Sequence, residues 1–249
     1  MTRIMDLSVP ITMRAKLRRM PDIQYQDHKA YGRSRAGQIG LEHGNLRPWG
    51  FLAMEKLSLT PHEGTHLDAP WHFAPHSEGR PSRTIDKIPL EWCFCDGVIL
   101  DFHHFERDRP ILVQDLKEAL DRISYRLKPL DIVLIRTDAT KHWLEEGYED
   151  LGAGMTADST LWLIDQGIKV MGKDSWTWDR PFDLMAKDKD PHAFLEAHFM
   201  GNEREYCHLE NLANLDLVPE PFGFRVAVFP IKIEGAGAGW VRAVAIFED

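Results

Sequence analysis

The fourteen residues TPHEGTHLDAPWHF, Thr60 to Phe73, hold three histidines, an aspartate and a glutamate. Imidazoles and carboxylates bind first-row metal ions, and imidazoles also carry protons near neutral pH. A lone histidine is ordinarily a surface residue or a satisfied core residue. Here four ligand-type side chains, His62, His66, Asp68 and His72, fall within eleven residues, and that density points to a metal site.

Their spacing limits the backbone that could gather them. In an α-helix His62 and His66 would share a face, but Asp68 would lie about 240° around from His62. Gly64 and Pro70 also disfavour a helix. In a straight strand the four even-numbered positions point one way, yet His62 and His72 would stand about 33 Å apart. Two imidazoles on one ion cannot have α-carbons much beyond about 12–13 Å apart. A bent, extended loop meets both conditions, and Gly64 and Pro70 are suited to bending it. The reading is a ligand loop that leaves room for His72 to stand outside direct metal contact. His76, just beyond, reads as a solvated residue.

The flanking elements must hold this loop in place. FLAMEKLSLT alternates apolar and polar residues, with Met54 out of phase, and reads as a strand feeding the histidines. MDLSVPI reads as a short strand ending at Pro10. DGVILDF and LDIVLIRT are β-branched runs typical of buried strands. Between them, Leu112, Leu116, Ala119, Leu120 and Ile123 recur at helical spacing, so this part is a strand–helix–strand unit. MTADSTLWLIDQGI reads as a second helix, with Thr156 as N-cap and Gly167 as its stop. KVMGKD follows as a strand. PHAFLEAHFMGN is a predicted helix with Pro191 in its first turn and Gly201-Asn202 past its end. FRVAVFPIKI and WVRAVAIFE are final strands. The glycine-rich EGAGAG between them lacks the strand-to-helix context of a phosphate loop. These elements predict an α/β fold, residues 1–249 forming a single domain with a central mixed or barrel-like sheet flanked by helices. Residues 13–50, with several glycines and scattered charge, read as mostly loop.

The chain has 249 residues and a net charge of −9, which argues against nucleic acid as a partner. The charge is uneven: residues 1–50 carry +5 and the remainder −14. MRAKLRRM and GRSRAG make residues 13–50 a basic arm or flap, read either as a solvated or subunit-packing arm or as a cover whose arginines attract an anionic substrate. No apolar run is long enough for a membrane span, and the N-terminus lacks the apolar run of a signal peptide. Cys93, Cys95 and Cys207 give no paired disulfide framework, which suits a cytoplasmic location.

HEGTHLDAPWHF resembles the H-x-G-T-H-x-D-x-P-x-H-F signature of the metal-dependent cyclase family, the group of bacterial kynurenine formamidase and isatin hydrolase. DLSVPI, DIVLIRT, VMGKDSWTWD, HLENLANLD and FPIKIEGAGAGWVRAVAIF extend the resemblance over nearly the whole chain outside residues 13–50. It implies a kynurenine formamidase-like fold of the swivelling β/β/α type. It also implies metal ligation by His62, His66 and Asp68, the last bridging to a second ion in binuclear members, with His72 as general acid/base. The later ligands of the family, a histidine and a glutamate twelve residues apart, correspond to His198 and Glu210. Without the resemblance these would read as a helix-surface histidine and a helix-start carboxylate. His208 is the rival histidine, set aside because its spacing to Glu210 departs from that pattern.

In MGKDSWTWD, Asp174 and Asp179 could hydrogen-bond ligand imidazoles. Trp176 and Trp178 could line a pocket for a planar substrate, or simply pack in the core or an interface. The expected protein is a hydrolase of a small amide, lactam or lactone, using one or two Zn2+ or Mn2+ ions per chain to activate water. No G-x-S-x-G elbow offers a serine alternative. A non-hydrolytic cyclase or dehydratase, and a metal-binding protein without catalysis, are the competing expectations. The resemblance further implies a homodimer or homotetramer.

Overall fold

The computed structural model describes residues 1–41 and 46–248. Its strands are β1 (Thr2–Asp6), β2 (Asp22–Gln26), β3 (Met54–Ser58), β4 (His66–Asp68), β5 (His76–Ser77), β6 (Arg80–Pro81), β7 (Phe94–Asp101), β8 (Ile132–Arg136), β9 (Val170–Lys173), β10 (Cys207–Glu210), β11 (Phe222–Ala227), β12 (Ala238–Trp240) and β13 (Val244–Glu248). Its α-helices are α1 (His28–Ala36), α2 (Pro70–Phe73), α3 (Val113–Arg122), α4 (Ala157–Asp165), α5 (Phe182–Asp188) and α6 (Glu196–Phe199).

Nine strands form one curled mixed sheet in the order β1-β13-β11-β7-β8-β9-β10-β4-β12. The middle four, β7 to β10, run parallel, and every other pairing is antiparallel. The expected α/β class and helix-flanked mixed sheet are therefore present. Both faces of the parallel part are covered, which is why β7 is apolar from Val98 to Leu100 and β8 from Ile132 to Ile135. Along β8 the side chains alternate between two cores: Ile132 and Leu134 enter one, Val133 and Ile135 the other. The amphipathic helix α3 closes the second core with Leu116, Ala119 and Leu120. Helix α4 is capped as expected, Thr156 Oγ1 accepting from the Ser159 N–H at 3.1 Å.

Two expectations need correction. Residues 13–50, which include 42–45 outside the described residues, are more ordered than mostly loop. They contain β2 and α1, the latter started by Asp27, whose carboxylate accepts from the N–H groups of Lys29 and Ala30. FLAMEKLSLT gives β3 ahead of the histidines as expected, and β3 pairs with β2 in a separate two-stranded sheet. The helix expected over PHAFLEAHFMGN shrinks to the four residues of α6. Leu195 sits at φ 56°, and the Asp179 carboxylate takes the N–H groups of Ala197 and His198, so the helix cannot start earlier.

Candidate metal centre

The histidine segment is a loop, a short strand and one helical turn in succession. Gly64 adopts φ +66°, a conformation that costs any other residue, and turns the chain between His62 and β4. The Gly64 carbonyl then accepts from His66 Nδ1 at 2.9 Å and Asn211 Nδ2 at 3.0 Å, which fixes the bend. Pro70 begins α2 and swings His72 back over β4. The EGAGAG link has a packing purpose: a Cβ on Gly237 would stand 3.3 Å from the Cα and Cβ of His72, and its carbonyl accepts from the Ala69 N–H.

Sheet register assembles the rest. In the antiparallel pair β4–β10, His66 lies opposite Glu210 and Asp68 opposite His208. Residues two apart on a strand point the same way, so these four side chains project from one face. His66 Nε2 is 3.5 Å from Asp68 Oδ1 and 3.7 Å from Glu210 Oε2. His208 Nε2 is 3.2 Å from Asp68 Oδ2 and 3.4 Å from Glu210 Oε1. His198 of α6 brings Nε2 to 3.5 Å from Glu210 Oε1. From the other side, His62 Nδ1 lies 2.9 Å from Asp68 Oδ1, and His72 Nε2 lies 3.9 Å from Asp68 Oδ2. Two groups of metal-capable atoms result, Asp68–His198–His208–Glu210 and His62–Asp68–His72, each within 4.8 Å, with Asp68 common to both.

The donor set fits a cation. Both oxygens of Asp68, Nε2 of His66 and Nε2 of His208 are buried and make no well-aligned hydrogen bond among the described residues, although imidazole nitrogens crowd Asp68 at 2.9–3.9 Å. Buried polar atoms left unpaired are costly, and a positive ion among these lone pairs would satisfy all of them. Electrostatics agree. Burial opposes charging His66, yet Asp68, Glu210 and the Gly64 carbonyl raise it to about 9. Burial likewise opposes ionising Asp68, but the surrounding imidazoles hold it well below the usual carboxylate range. The cluster calls for positive charge at its centre. His72, at the rim, is pushed down to about 4 by burial and by His62, His198 and His208, against the pull of Asp68.

Outer contacts set the tautomers. Asp179 Oδ2 accepts from His198 Nδ1 at 2.5 Å, leaving Nε2 to face the cluster. His208 Nδ1 meets the Tyr206 hydroxyl at 3.4 Å, and that hydroxyl donates to the Ala197 carbonyl. The Trp178 N–H donates to Glu210 Oε1 at 2.9 Å. Asp174, read as a partner for a ligand imidazole, is elsewhere: it accepts from the Thr137 N–H and hydroxyl and from the Asp138 N–H. The Trp178 side chain is fully buried, stacked on His208 with its indole N–H on Thr160, so it packs the core rather than lining the cavity. Trp176 does line it. His76 is exposed in β5, away from the cluster.

Sequence reasoning missed two residues. The family spacing disfavours His208, but CHLE carries the same two-residue ligand parity as HLD, and that parity is the available signal. Lys173 is fully buried, and its ammonium donates to the carbonyls of Ala153, Trp178 and Asp179 at 3.0, 3.0 and 3.1 Å. It thereby holds the turn that presents Asp179 to His198 and the Trp178 N–H to Glu210. A lone lysine at a strand end gives no sign of this in sequence.

Above the cluster opens a cavity of about 440 Å³. Trp176, Phe182 and Leu195 give it an apolar wall, while Glu63, Arg18 and Arg19 give it charge. Burial raises the Glu63 carboxyl above its usual range, partly offset by Arg19.

Residues 5–180 match the family model Cyclase, "Putative cyclase". A kynurenine formamidase of Bordetella petrii is 27% identical over 245 residues, 98% of each chain. A kynurenine formamidase of Paracidovorax citrulli is 30% identical over 201 residues, 76% of this chain and 77% of that one. Among solved structures, isatin hydrolase A from Ralstonia solanacearum superposes with a TM-score of 0.77 at 22% identity, covering 99% of this chain and 92% of that one. That likeness establishes a shared fold. The family match spans most of the chain, His62, His66, Asp68 and His72 included, and this chain belongs to the Cyclase family.

Proposed function

We propose that the protein is a metal-dependent hydrolase of a small amide, lactam or lactone. The observation that carries this reading is the buried Asp68 at the junction of two metal-capable groups, directly below a cavity with a proton-carrying histidine at its rim. The names of the relatives, kynurenine formamidase and isatin hydrolase, support hydrolysis as the reaction. His62, His66, Asp68, His198 and Glu210 would hold the ion or ions, with His208 completing the inner group, and zinc or manganese suits such a mixed imidazole–carboxylate set. When bound, the metal supplies an acidified water near neutral pH and charge to stabilise the developing oxyanion.

The remaining work falls to the chain. His72 is neutral and reaches the cavity, so it accepts a proton from the attacking water and passes it to the leaving nitrogen or oxygen. The wall of Trp176, Phe182 and Leu195 orients a planar ring and excludes water from it. Asp179 keeps His198 in the tautomer that presents Nε2. A homodimer or homotetramer is part of the proposal and is checked by sedimentation.

The test is hydrolysis of N-formylkynurenine, isatin and a small unsaturated lactone by protein loaded with zinc or manganese, beside a chelated control. Chelator-sensitive turnover of one of them, with water added to the product, supports the reading. Turnover unaffected by chelation, or a product without added water, removes it.

A further inference from the structure

Two adjacent, exposed arginines of the arm line the cavity, and their circumstances differ. Arg18 is spent on anchoring. Its guanidinium binds both carboxylate oxygens of Asp150 at 2.6 Å, and its backbone N–H donates to Glu149 Oε2 at 2.8 Å. Ala15, buried among Val9, Ala139, Trp143 and Tyr148, fastens the chain just before it. Arg19 comes next, lines the same cavity, and makes no hydrogen bond or salt bridge with any described residue. Its side chain is thus held at the cavity edge by a secured segment, its charge felt by Glu63 but its donors engaged by no described residue.

We infer that Arg19 is a seat for a carboxylate on the substrate, so that the preferred substrate is an anionic carbonyl compound whose scissile group lies over Asp68 while its carboxylate reaches the arm. The inference rests on the hydrolase reading for the scissile group. Glu63 and Arg19 both border the cavity, and Thr60 Oγ1 lies 3.5 Å from the Glu63 carboxylate. A planar guanidinium pairs bidentately with a carboxylate, and such a charge-assisted contact is worth about tenfold to hundredfold in affinity.

The experiment compares formanilide with its three ring-carboxylated isomers, 2-, 3- and 4-formamidobenzoate, as substrates of the metal-loaded protein. At least one isomer should exceed formanilide in kcat/KM by tenfold or more. Arg19→Gln should erase that preference, mainly through KM, and Arg19→Lys should retain part of it. Arg33→Gln, an exposed arm arginine away from the cavity, should leave the preference intact, which separates a seat from the general field of the arm. No preference in the wild type, or a preference that survives Arg19→Gln, overturns the seat while the hydrolase reading stands. Should none of the four compounds be hydrolysed, calorimetric titration of the same compounds reads the seat directly. Binding of a carboxylated isomer that Arg19→Gln weakens tenfold then upholds the seat as the hydrolase reading falls. Absent or charge-blind binding overturns the seat.

Discussion

The centre built on β4 and β10 and the arm before β3 differ in burial and in how much of each is tied to the rest of the chain. The centre is buried and knit by contacts distant in sequence: His66 faces Glu210 across a sheet register, and Asp179 reaches His198. The arm is largely exposed: Asp27 caps its own helix and β2 pairs with β3 in a sheet of two, while only its base, through Ala15 and Arg18, is tied to the distant residues 139–150. A perturbation in the centre should therefore spread to every ligand, whereas one in α1 should stay local. The sharpest test of the first half is Asp68→Asn. Asp68 is shared by both metal-capable groups, so its charge cannot be lost from one alone. Metal content by elemental analysis should fall together with turnover, which should drop to the chelated background. Full metal occupancy in the variant would break the picture of a shared carboxylate.

His72→Ala should separate holding from turnover. His72 is at the rim, and the remaining cluster keeps its geometry without it, so metal should stay while kcat falls about 10²–10⁴-fold. Unchanged kcat would take His72 out of the reaction.

Asp174 tests how far the centre extends. It is buried outside the cluster, and burial, offset in part by its three donors, raises it to about 6 from an ordinary value of 3.8. The folded state then keeps a proton that the unfolded chain has released. Its contribution to stability is complete below about pH 4 and is lost as pH rises through 6, a swing on the order of 3 kcal/mol. Urea unfolding between pH 4 and pH 6.5 should show the wild type losing stability relative to Asp174→Asn by that amount as pH rises, a difference that cancels the slopes of other groups such as His72. Equal slopes would mean that the three donors keep the carboxylate ionised throughout.

A smaller effect belongs to Asp179→Asn. The amide can no longer fix the His198 tautomer by accepting as a charged group, so metal affinity should fall about 10–100-fold with ligands all in place. Competition with a chromogenic chelator measures it, and an unchanged affinity would confine Asp179 to its other contacts, the N–H groups of Ala197 and His198.

What could be read from the sequence divides along the same line. The ligand loop was legible because its evidence is local: four ligand types, one Gly and one Pro within a short stretch. The β-branched runs and the Thr156 cap were legible for the same reason. The His66–Glu210 and Asp68–His208 pairings were not, since register between β4 and β10 is set by the whole sheet. Geometry gave no reason to choose His198 and Glu210; a resemblance to a family did. His208 follows from strand parity, which the family's histidine–glutamate spacing does not reveal. The arm failed differently. Asp27 before His28-Lys29-Ala30 is a local N-cap signal, and a reading built only on the glycines and charges of residues 13–50 does not use it.

That cap supplies the last and smallest test, on the arm itself. Asp27→Ala removes the acceptor for the Lys29 and Ala30 N–H groups, so α1 should fray. Amide exchange over residues 28–36 should quicken severalfold, as loss of an N-cap generally requires. Exchange in β4 and β10, metal content and kcat on a neutral substrate should not move, because α1 contributes no side chain to the cavity or to the metal-capable groups. If exchange in β4 quickened with the arm, the two regions would share one cooperative unit. The arm would then be part of what holds the centre, rather than a separate piece that presents Arg19 to whatever the centre binds.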